Sequence, residues 1–179
     1  MKYLTIRQHI LSTRHLMQIH DDKRNLIFET ICEQSMTFNV WHIMKDLCPV
    51  LTFRRKILSN AATWHVSGNM QDYLVKRKFW SWEPRYQVLG GPFEGCEVTG
   101  NIVDRTLKFY YRGRLMATAD DPALNQPDKY QLSVFRDDDA TILFISMMLV
   151  LVHIEAFIHY KRPPPRRKNR KRREVKKAS

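Results

Sequence analysis

The spacing of apolar and polar residues changes once along the chain, near residue 139. Before that point, short apolar segments are separated by turn signals every ten or so residues, which favours a sandwich or a barrel. Several segments alternate strictly, so that Tyr130, Leu132 and Val134 share one face of a predicted strand. The clearest strand predictions are residues 17–19, 25–28, 38–44, 64–66, 73–80, 86–89, 107–111 and 129–135.

A repeated unit indicates that these strands form a meander of hairpins. In each of four places a small polar residue is followed, five and seven positions later, by two apolar residues. The units begin at Leu11-Ser12, Leu58-Ser59, Trp80-Ser81 and Leu124-Asn125, and their apolar pairs are Met17 and Ile19, Trp64 and Val66, Tyr86 and Val88, and Tyr130 and Leu132. We expect a strand to end at each polar residue and the next strand to return after a tight turn.

The last part of the pattern predicts one helix, at about residues 138–160. Residues 140–160 are apolar on nearly every side of a helix, and three aspartates, residues 137–139, precede them. Aspartates at this position cap the exposed N–H groups, which is a more economical interpretation than a calcium loop because their oxygens lack the alternate spacing. Pro163 ends the helix.

A helix that is apolar all round must be enclosed by protein or lipid. Its long apolar segment, residues 140–152, has 13 residues before His153 and is shorter than the ~18–20 residues that a membrane span needs. With about 12 short strands before it, the sequence predicts a mainly β fold: a closed antiparallel β-barrel wrapped around the C-terminal helix.

The net charge of +12, from 30 Lys and Arg against 18 Asp and Glu, is concentrated in the last 19 residues. Residues 161–179 hold 11 basic residues and one acid, which leaves 19 basic and 17 acidic residues for residues 1–160. We therefore predict a nearly neutral domain at residues 1–160, with its strands in residues 1–136, and a disordered polybasic tail at residues 161–179. Three prolines, residues 163–165, favour an extended start of this tail.

These features together resemble the LURP-one-related family of tubby-like proteins, kin to the tubby C-terminal domain and the phospholipid scramblases. The resemblance is carried by the start MKY, the repeated hairpin units, the segments FWSW (residues 79–82) and YQV (residues 86–88), and the ending DDDATILFI (residues 137–145). It covers roughly residues 1–160. It implies a twelve-stranded closed barrel around a hydrophobic C-terminal helix, and, from the tubby domains, binding of phosphoinositide headgroups.

Basic clusters in the domain are the candidate anion or lipid site. They are Arg54, Arg55 and Lys56, then Lys76 and Lys78, and then Arg112 and Arg114 on either side of a predicted turn. Alternation sends Lys76 and Lys78 to one face of their strand and Arg77 to the other, so two cations could grip one phosphate. The alternative is a solvated barrel exterior whose charges keep strands from pairing with neighbouring molecules.

The tail contains a second set of candidate residues, a targeting block of Arg166, Arg167, Lys168, Arg170, Lys171, Arg172 and Arg173. Such a block is typical of a nuclear localisation signal, a nucleic-acid contact or a polybasic membrane segment. No aromatic residue follows Tyr160, so any nucleic-acid contact would be to phosphates and without sequence preference. A tail that only improves solubility is the remaining alternative.

Signals of catalysis or of a bound cofactor or metal are missing from the sequence, which has no GxSxG, Walker or HExxH motif. The three cysteines, Cys32, Cys48 and Cys96, form no CxxC pair, so we expect free thiols in a reducing compartment. Residues 1–20 contain no acid and loosely resemble a mitochondrial presequence, although a first strand and turn explain them better. We expect an intracellular protein of the cytoplasm or nucleus, or one peripheral at the plasma membrane.

The predicted function is therefore binding without catalysis, cofactor or metal. The first candidate partner is an anionic membrane lipid, with the tail adding affinity or a nuclear address. The alternatives are a nuclear or ribonucleoprotein adaptor that binds nucleic-acid phosphates through the tail, and a scramblase-like protein that moves lipids.

Overall fold

Twelve strands and one helix follow one another in the part of the chain that the structure, a computed structural model, describes. That part comprises residues 1–8, 17–34, 39–57, 59, 61–78, 85–101, 106–120, 129–136 and 138–160. The strands are β1 (Lys2–Gln8), β2 (Met17–His20), β3 (Leu26–Gln34), β4 (Asn39–Lys45), β5 (Cys48–Arg55), β6 (Thr63–Gly68), β7 (Tyr73–Arg77), β8 (Arg85–Leu89), β9 (Glu97–Asn101), β10 (Thr106–Tyr111), β11 (Arg114–Asp120) and β12 (Lys129–Val134), and the helix is α1 (Asp139–Tyr160).

The strands form a closed antiparallel barrel in which each one pairs with its neighbours in sequence. The ring closes where β1 pairs with β12, with Lys2 opposite Val134 and Leu4 opposite Leu132. Closure gives each of the twelve described strands a partner on both sides, so none of them offers an unpaired edge to other chains. The predicted fold class is confirmed.

Alternation along the strands separates an apolar interior from a polar exterior. Each of the eight sequence-predicted strands overlaps an observed one, and the repeat units lead into β2, β6, β8 and β12. The apolar residues of these units that the structure describes are buried: Met17, Ile19, Trp64, Val66, Tyr86, Val88 and Leu132. Of the polar residues that begin the units, Ser59 is described, and Ser12, Ser81 and Asn125 lie outside the described residues.

Helix α1 fills the barrel. All of residues 141–152 are buried, and Phe144 stacks on Phe93 of the β8–β9 connection with ring centroids 4.2 Å apart. Near its other end, Glu155 contacts Trp64 at the start of β6. The helix therefore enters the barrel at the end that holds the β8–β9 connection, here called the helix-entry end. It leaves at the opposite end, which holds the β5–β6 connection and is called the helix-exit end. No helix within the described residues has the length and hydropathy that crossing a membrane requires.

Asp138 caps the helix. Its carboxylate accepts hydrogen bonds from the backbone N–H and the hydroxyl of Thr141, both at 2.8 Å, and lies 2.6 Å from Arg136 Nε. Partial burial opposes ionisation of Asp138, but the bonds from Thr141 and Arg136 outweigh it and lower the pKa below 3.8. The predicted cap is thus made by Asp138, whereas Asp137 lies outside the described residues.

Candidate anion-binding surface

Four of the seven basic residues that the sequence singled out in the domain lie on the outer side of the barrel. Arg54, Lys56, Lys76 and Lys78 are exposed, as the alternation of β5 and β7 requires. The N–H of Lys56 donates to the carbonyl of Thr63 at 2.8 Å, and Thr63 pairs with Lys76 on the next strand. Lys56 and Lys76 therefore flank β6 at the same level, with backbones about 10 Å apart.

The charges on this outer side are mostly uncompensated. Lys78 Nζ lies 2.7 Å from Glu97 Oε1, a half-exposed pair of the kind that contributes little stability. Arg54, Lys56 and Lys76 form no ion pair with any residue in the described part of the chain. Three cations are thus presented to solvent from two strands that both border β6.

Two further exposed cations were not among the candidates predicted from the sequence. The backbone carbonyl of Arg85, at the start of β8, accepts a 2.8 Å hydrogen bond from the N–H of Lys78. Arg85 pairs with Thr99 of β9, and Thr99 pairs with Lys108 of β10, so Lys108 lies at the same level of the barrel. The alternation of Arg85 with the buried Tyr86 and Val88 was the signal that could have found the first of them. The basic face, as the term is used below, consists of Arg54, Lys56, Lys76, Lys78 and Arg85.

Arg55 lies on the inner side, unlike its neighbours Arg54 and Lys56. Its Nε lies 3.3 Å from Oε1 of Glu155, a residue with no exposed surface, and the indole of Trp64 donates to the same oxygen. Burial raises the pKa of Tyr86 and the Glu155 carboxylate raises it further, while Arg77 and Arg55 oppose the shift. The inner cluster, which consists of Arg55, Trp64 and Glu155, thus joins the helix to β5 and β6 through an ion pair and a hydrogen bond.

Arg112 and Arg114 lie at the helix-entry end, in and after the β10–β11 turn. The guanidinium of Arg112 is 5.2 Å from the centroid of the Tyr111 ring. Register pairs place Tyr110 of β10 level with Lys76 of β7, three strand spacings away around the sheet. Arg112 is two residues beyond Tyr110, so the backbones of Arg112 and Lys76 are roughly 15 Å apart along the sheet. The structure therefore does not bring these two arginines into the basic face.

The sequence profile of the LURP-one-related family matches residues 2–153. This chain belongs to the LURP-one-related family. The X-ray structure of a protein from Arabidopsis thaliana superposes on it with a TM-score of 0.60 and 17% sequence identity, over 86% of this chain and 91% of that one. At this identity the likeness is one of fold. A comparison with curated protein sequences gives no match.

The thiols of this LURP-one-related chain are unsuited to nucleophilic chemistry where they are buried. Burial raises the pKa of Cys96 to about 12, and it also raises the pKa of Cys32. Cys48 is exposed, and all three are free. Within the described residues, no three His, Cys, Asp or Glu side chains come together as metal ligands would.

The helix of the LURP-one-related barrel ends at Tyr160, at the helix-exit end. Lys56 and Lys78 lie at the same end, because each follows the last residue of a strand that runs toward it. The end of the helix and these two lysines of the basic face therefore lie at the same end of the barrel. The targeting block at residues 166–173 lies outside the described residues.

Proposed function

We propose that this LURP-one-related barrel is a binding protein rather than an enzyme, and that its basic face binds the phosphorylated headgroups of anionic membrane lipids, phosphoinositides in particular. One observation carries the proposal: Arg54, Lys56 and Lys76 point outward around β6 and pair with no described carboxylate. On this proposal the protein acts inside the cell, at a cytoplasmic membrane surface, with the nucleus as a second destination.

The spacing of the basic face suits a headgroup with several phosphates. Lysine ammonium groups are mobile point charges on flexible stems, so Lys56 and Lys76 can converge on one ligand from either side of β6. Arg54 adds a planar guanidinium that can hold a phosphate through two hydrogen bonds. Each cation close to an anionic membrane surface contributes about 1 kcal/mol.

The tail would add affinity without adding selectivity. It carries 11 basic residues, and the helix that precedes it in the sequence ends at the end of the barrel where Lys56 and Lys78 lie. A tethered polycation raises the effective concentration of charge near the membrane once the basic face has bound. We therefore assign choice of headgroup to the basic face and general attraction to the tail.

The interior polar groups support a role without catalysis. The Glu155 carboxylate is enclosed and held by Trp64 and Arg55, and Cys96 is buried with a raised pKa. Both have no exposed surface inside a barrel whose centre the helix occupies, so neither side chain is accessible from solvent. No cofactor or metal enters the proposed function.

Sedimentation with vesicles tests the proposal. The full chain and a chain that ends at Arg162 are mixed with vesicles of phosphatidylcholine, of phosphatidylcholine with phosphatidylinositol bisphosphate, and of phosphatidylcholine with phosphatidylserine at equal charge. We expect both chains to prefer the phosphoinositide vesicles, the full chain binding more tightly. Lipid binding that disappears with the tail, together with salt-dependent RNA binding by the tail, would instead support the nucleic-acid adaptor.

A further inference from the structure

Ile57 is a large apolar side chain exposed at the helix-exit end, with 70% of its surface accessible. It follows Lys56 of the basic face directly. Seven other large apolar side chains are exposed within the described residues, and all lie toward the helix-entry end: Met1, Tyr3, Leu26, Leu47, Leu89, Leu115 and Phe135. Ile57 is thus set apart from them and next to the proposed headgroup site.

The β5–β6 connection holds Ile57 in this position. Its ends are fixed by the bond from Lys56 N–H to Thr63 O and by a 2.9 Å bond from Arg77 N–H to Ala62 O. Between them, the hydroxyl of Ser59 donates to the carbonyl of Ala61 at 2.6 Å. The backbone next to Ile57 is fixed at Lys56, and a β-branched side chain has little χ1 rotamer freedom to lose on binding.

We infer that Ile57 inserts into the apolar layer of a membrane when the basic face binds headgroups. The inference rests on the proposed function and narrows it, because it names an intact anionic bilayer, rather than a soluble polyphosphate, as the partner. A bilayer surface offers phosphates to Lys56 and hydrocarbon to Ile57 at adjacent depths. A free inositol phosphate satisfies the cations and leaves Ile57 in water.

Charge distinguishes Ile57 from Leu47, the most exposed of the other apolar side chains. Ile57 directly follows Lys56, which pairs with no carboxylate in the described part of the chain, so an anionic surface attracts the region around it. Leu47, which is 90% exposed on the β4–β5 turn, follows Asp46 and lies at the opposite end. Leu47 therefore serves as a matched control, an exposed aliphatic residue outside the proposed membrane contact.

The test compares the full chain with its Ile57→Ser and Leu47→Ser variants on phosphoinositide vesicles and on soluble inositol hexakisphosphate. Because the variant Ile57→Ser lacks an aliphatic side chain that would be buried in the membrane, we expect it to bind vesicles about tenfold more weakly than the unmodified chain. Its binding of inositol hexakisphosphate should match that of the unmodified chain, and Leu47→Ser should bind both ligands normally. In Ile57→Trp, brominated lipids should quench the new indole.

Two results would overturn the insertion. One is vesicle binding by Ile57→Ser equal to that of the unmodified chain, and the other is an equal loss in Leu47→Ser. The variant Lys76→Glu separates a failure of membrane insertion from a failure of headgroup binding. If Lys76→Glu weakens vesicle binding and Ile57→Ser does not, headgroup binding stands and insertion fails, whereas no effect of Lys76→Glu contradicts the proposed function itself.

Discussion

The indole Nε1 of Trp64 donates a 2.9 Å hydrogen bond to Oε1 of Glu155 inside the barrel, across 91 residues of sequence. The same oxygen lies 3.3 Å from Arg55 Nε. A carboxylate with no exposed surface is costly unless such partners hold it, because burial removes its hydration. The bond and the ion pair therefore join the last turns of α1 to the ends of β5 and β6 that border its exit.

Replacing Glu155 by Ala should lower the free energy of unfolding by about 3–5 kcal/mol, since it leaves the Arg55 charge and the Trp64 N–H without their acceptor. Glu155→Gln should cost less, because its amide oxygen still accepts from Trp64. Urea unfolding followed by far-ultraviolet circular dichroism measures both.

The double variant Arg55→Leu/Glu155→Leu is the control for this pair, because removing both charges avoids an unpaired one. It should unfold closer to the unmodified chain than Glu155→Ala does. If Glu155→Gln and Glu155→Ala cost the same, the hydrogen bond from Trp64 contributes nothing and our description of the cluster is wrong.

Leu47 in the β4–β5 turn has a backbone conformation that suits glycine better than leucine. Asp46 and Leu47 have φ angles of +50° and +65°, the left-handed values of a tight hairpin turn, whereas the β10–β11 turn has Arg112 and Gly113 at +50° and +74°. A left-handed conformation costs a β-carbon residue roughly 1–2 kcal/mol. Leu47→Gly should therefore stabilise the protein by about 1 kcal/mol in thermal or urea unfolding, after the entropy cost of glycine.

The converse substitution, Gly113→Leu, provides the matched comparison. Gly113 has open space around its α-carbon, so the left-handed φ is the main penalty for a larger side chain there. We expect Gly113→Leu to destabilise by about the amount that Leu47→Gly stabilises. Equal or lower stability of Leu47→Gly relative to the unmodified chain would contradict the strain at Leu47.

Local patterns were enough to predict much of the fold. The change of period near residue 139 indicated α1, and the repeat units placed two inward-facing residues on each of β2, β6 and β8. β1, β5, β9 and β11 were not among the eight predicted strands, although a first strand was expected within residues 1–20. β9 has one large apolar residue, Val98, and β11 buries both Met116 and Ala117 where its register with β10 shifts. Neither feature gives a clear period of two.

The candidate site was less accessible from the sequence because it depends on register. Arg54, Arg55 and Lys56 look alike as a basic run, yet Arg55 faces the interior. Its partner Glu155 is on the last element of the fold, and no local pattern joins the two. The separation of Arg112 and Arg114 from Lys76 likewise follows from the three strand spacings between β7 and β10, which only the sheet order shows.

The cap at Asp138 should contribute stability that depends on pH. Asp138→Ala removes two hydrogen bonds to Thr141 and should cost about 1 kcal/mol at neutral pH. The folded pKa of Asp138 is lowered, so its contribution is complete above the ordinary value of 3.8 and is lost as the pH falls through the folded value. Urea unfolding at several pH values should show the two chains converging in acid, and a constant difference would exclude the carboxylate as its source.

The cysteines should differ in reactivity according to burial. Cys48 is exposed and should be alkylated by iodoacetamide in the native protein, whereas Cys32 and Cys96 should react only after unfolding. Because the folded pKa of Cys96 is raised to about 12, ionisation favours the unfolded chain as the pH rises above 9.0. Mass spectrometry of labelled peptides measures this order, and native labelling of Cys96 as fast as Cys48 would contradict its burial.

The affinity of two charge-reversed variants for phosphoinositide vesicles provides the sharpest test of a headgroup site on the basic face. Lys56→Glu/Lys76→Glu alters the basic face, and Arg112→Glu/Arg114→Glu makes the same change in net charge at the helix-entry end. With the tail intact in both, we predict that the first variant loses most of the affinity and that the second retains it apart from a general electrostatic decrease. Equal losses in the two variants would show that net charge alone governs binding and would contradict a headgroup site on the basic face.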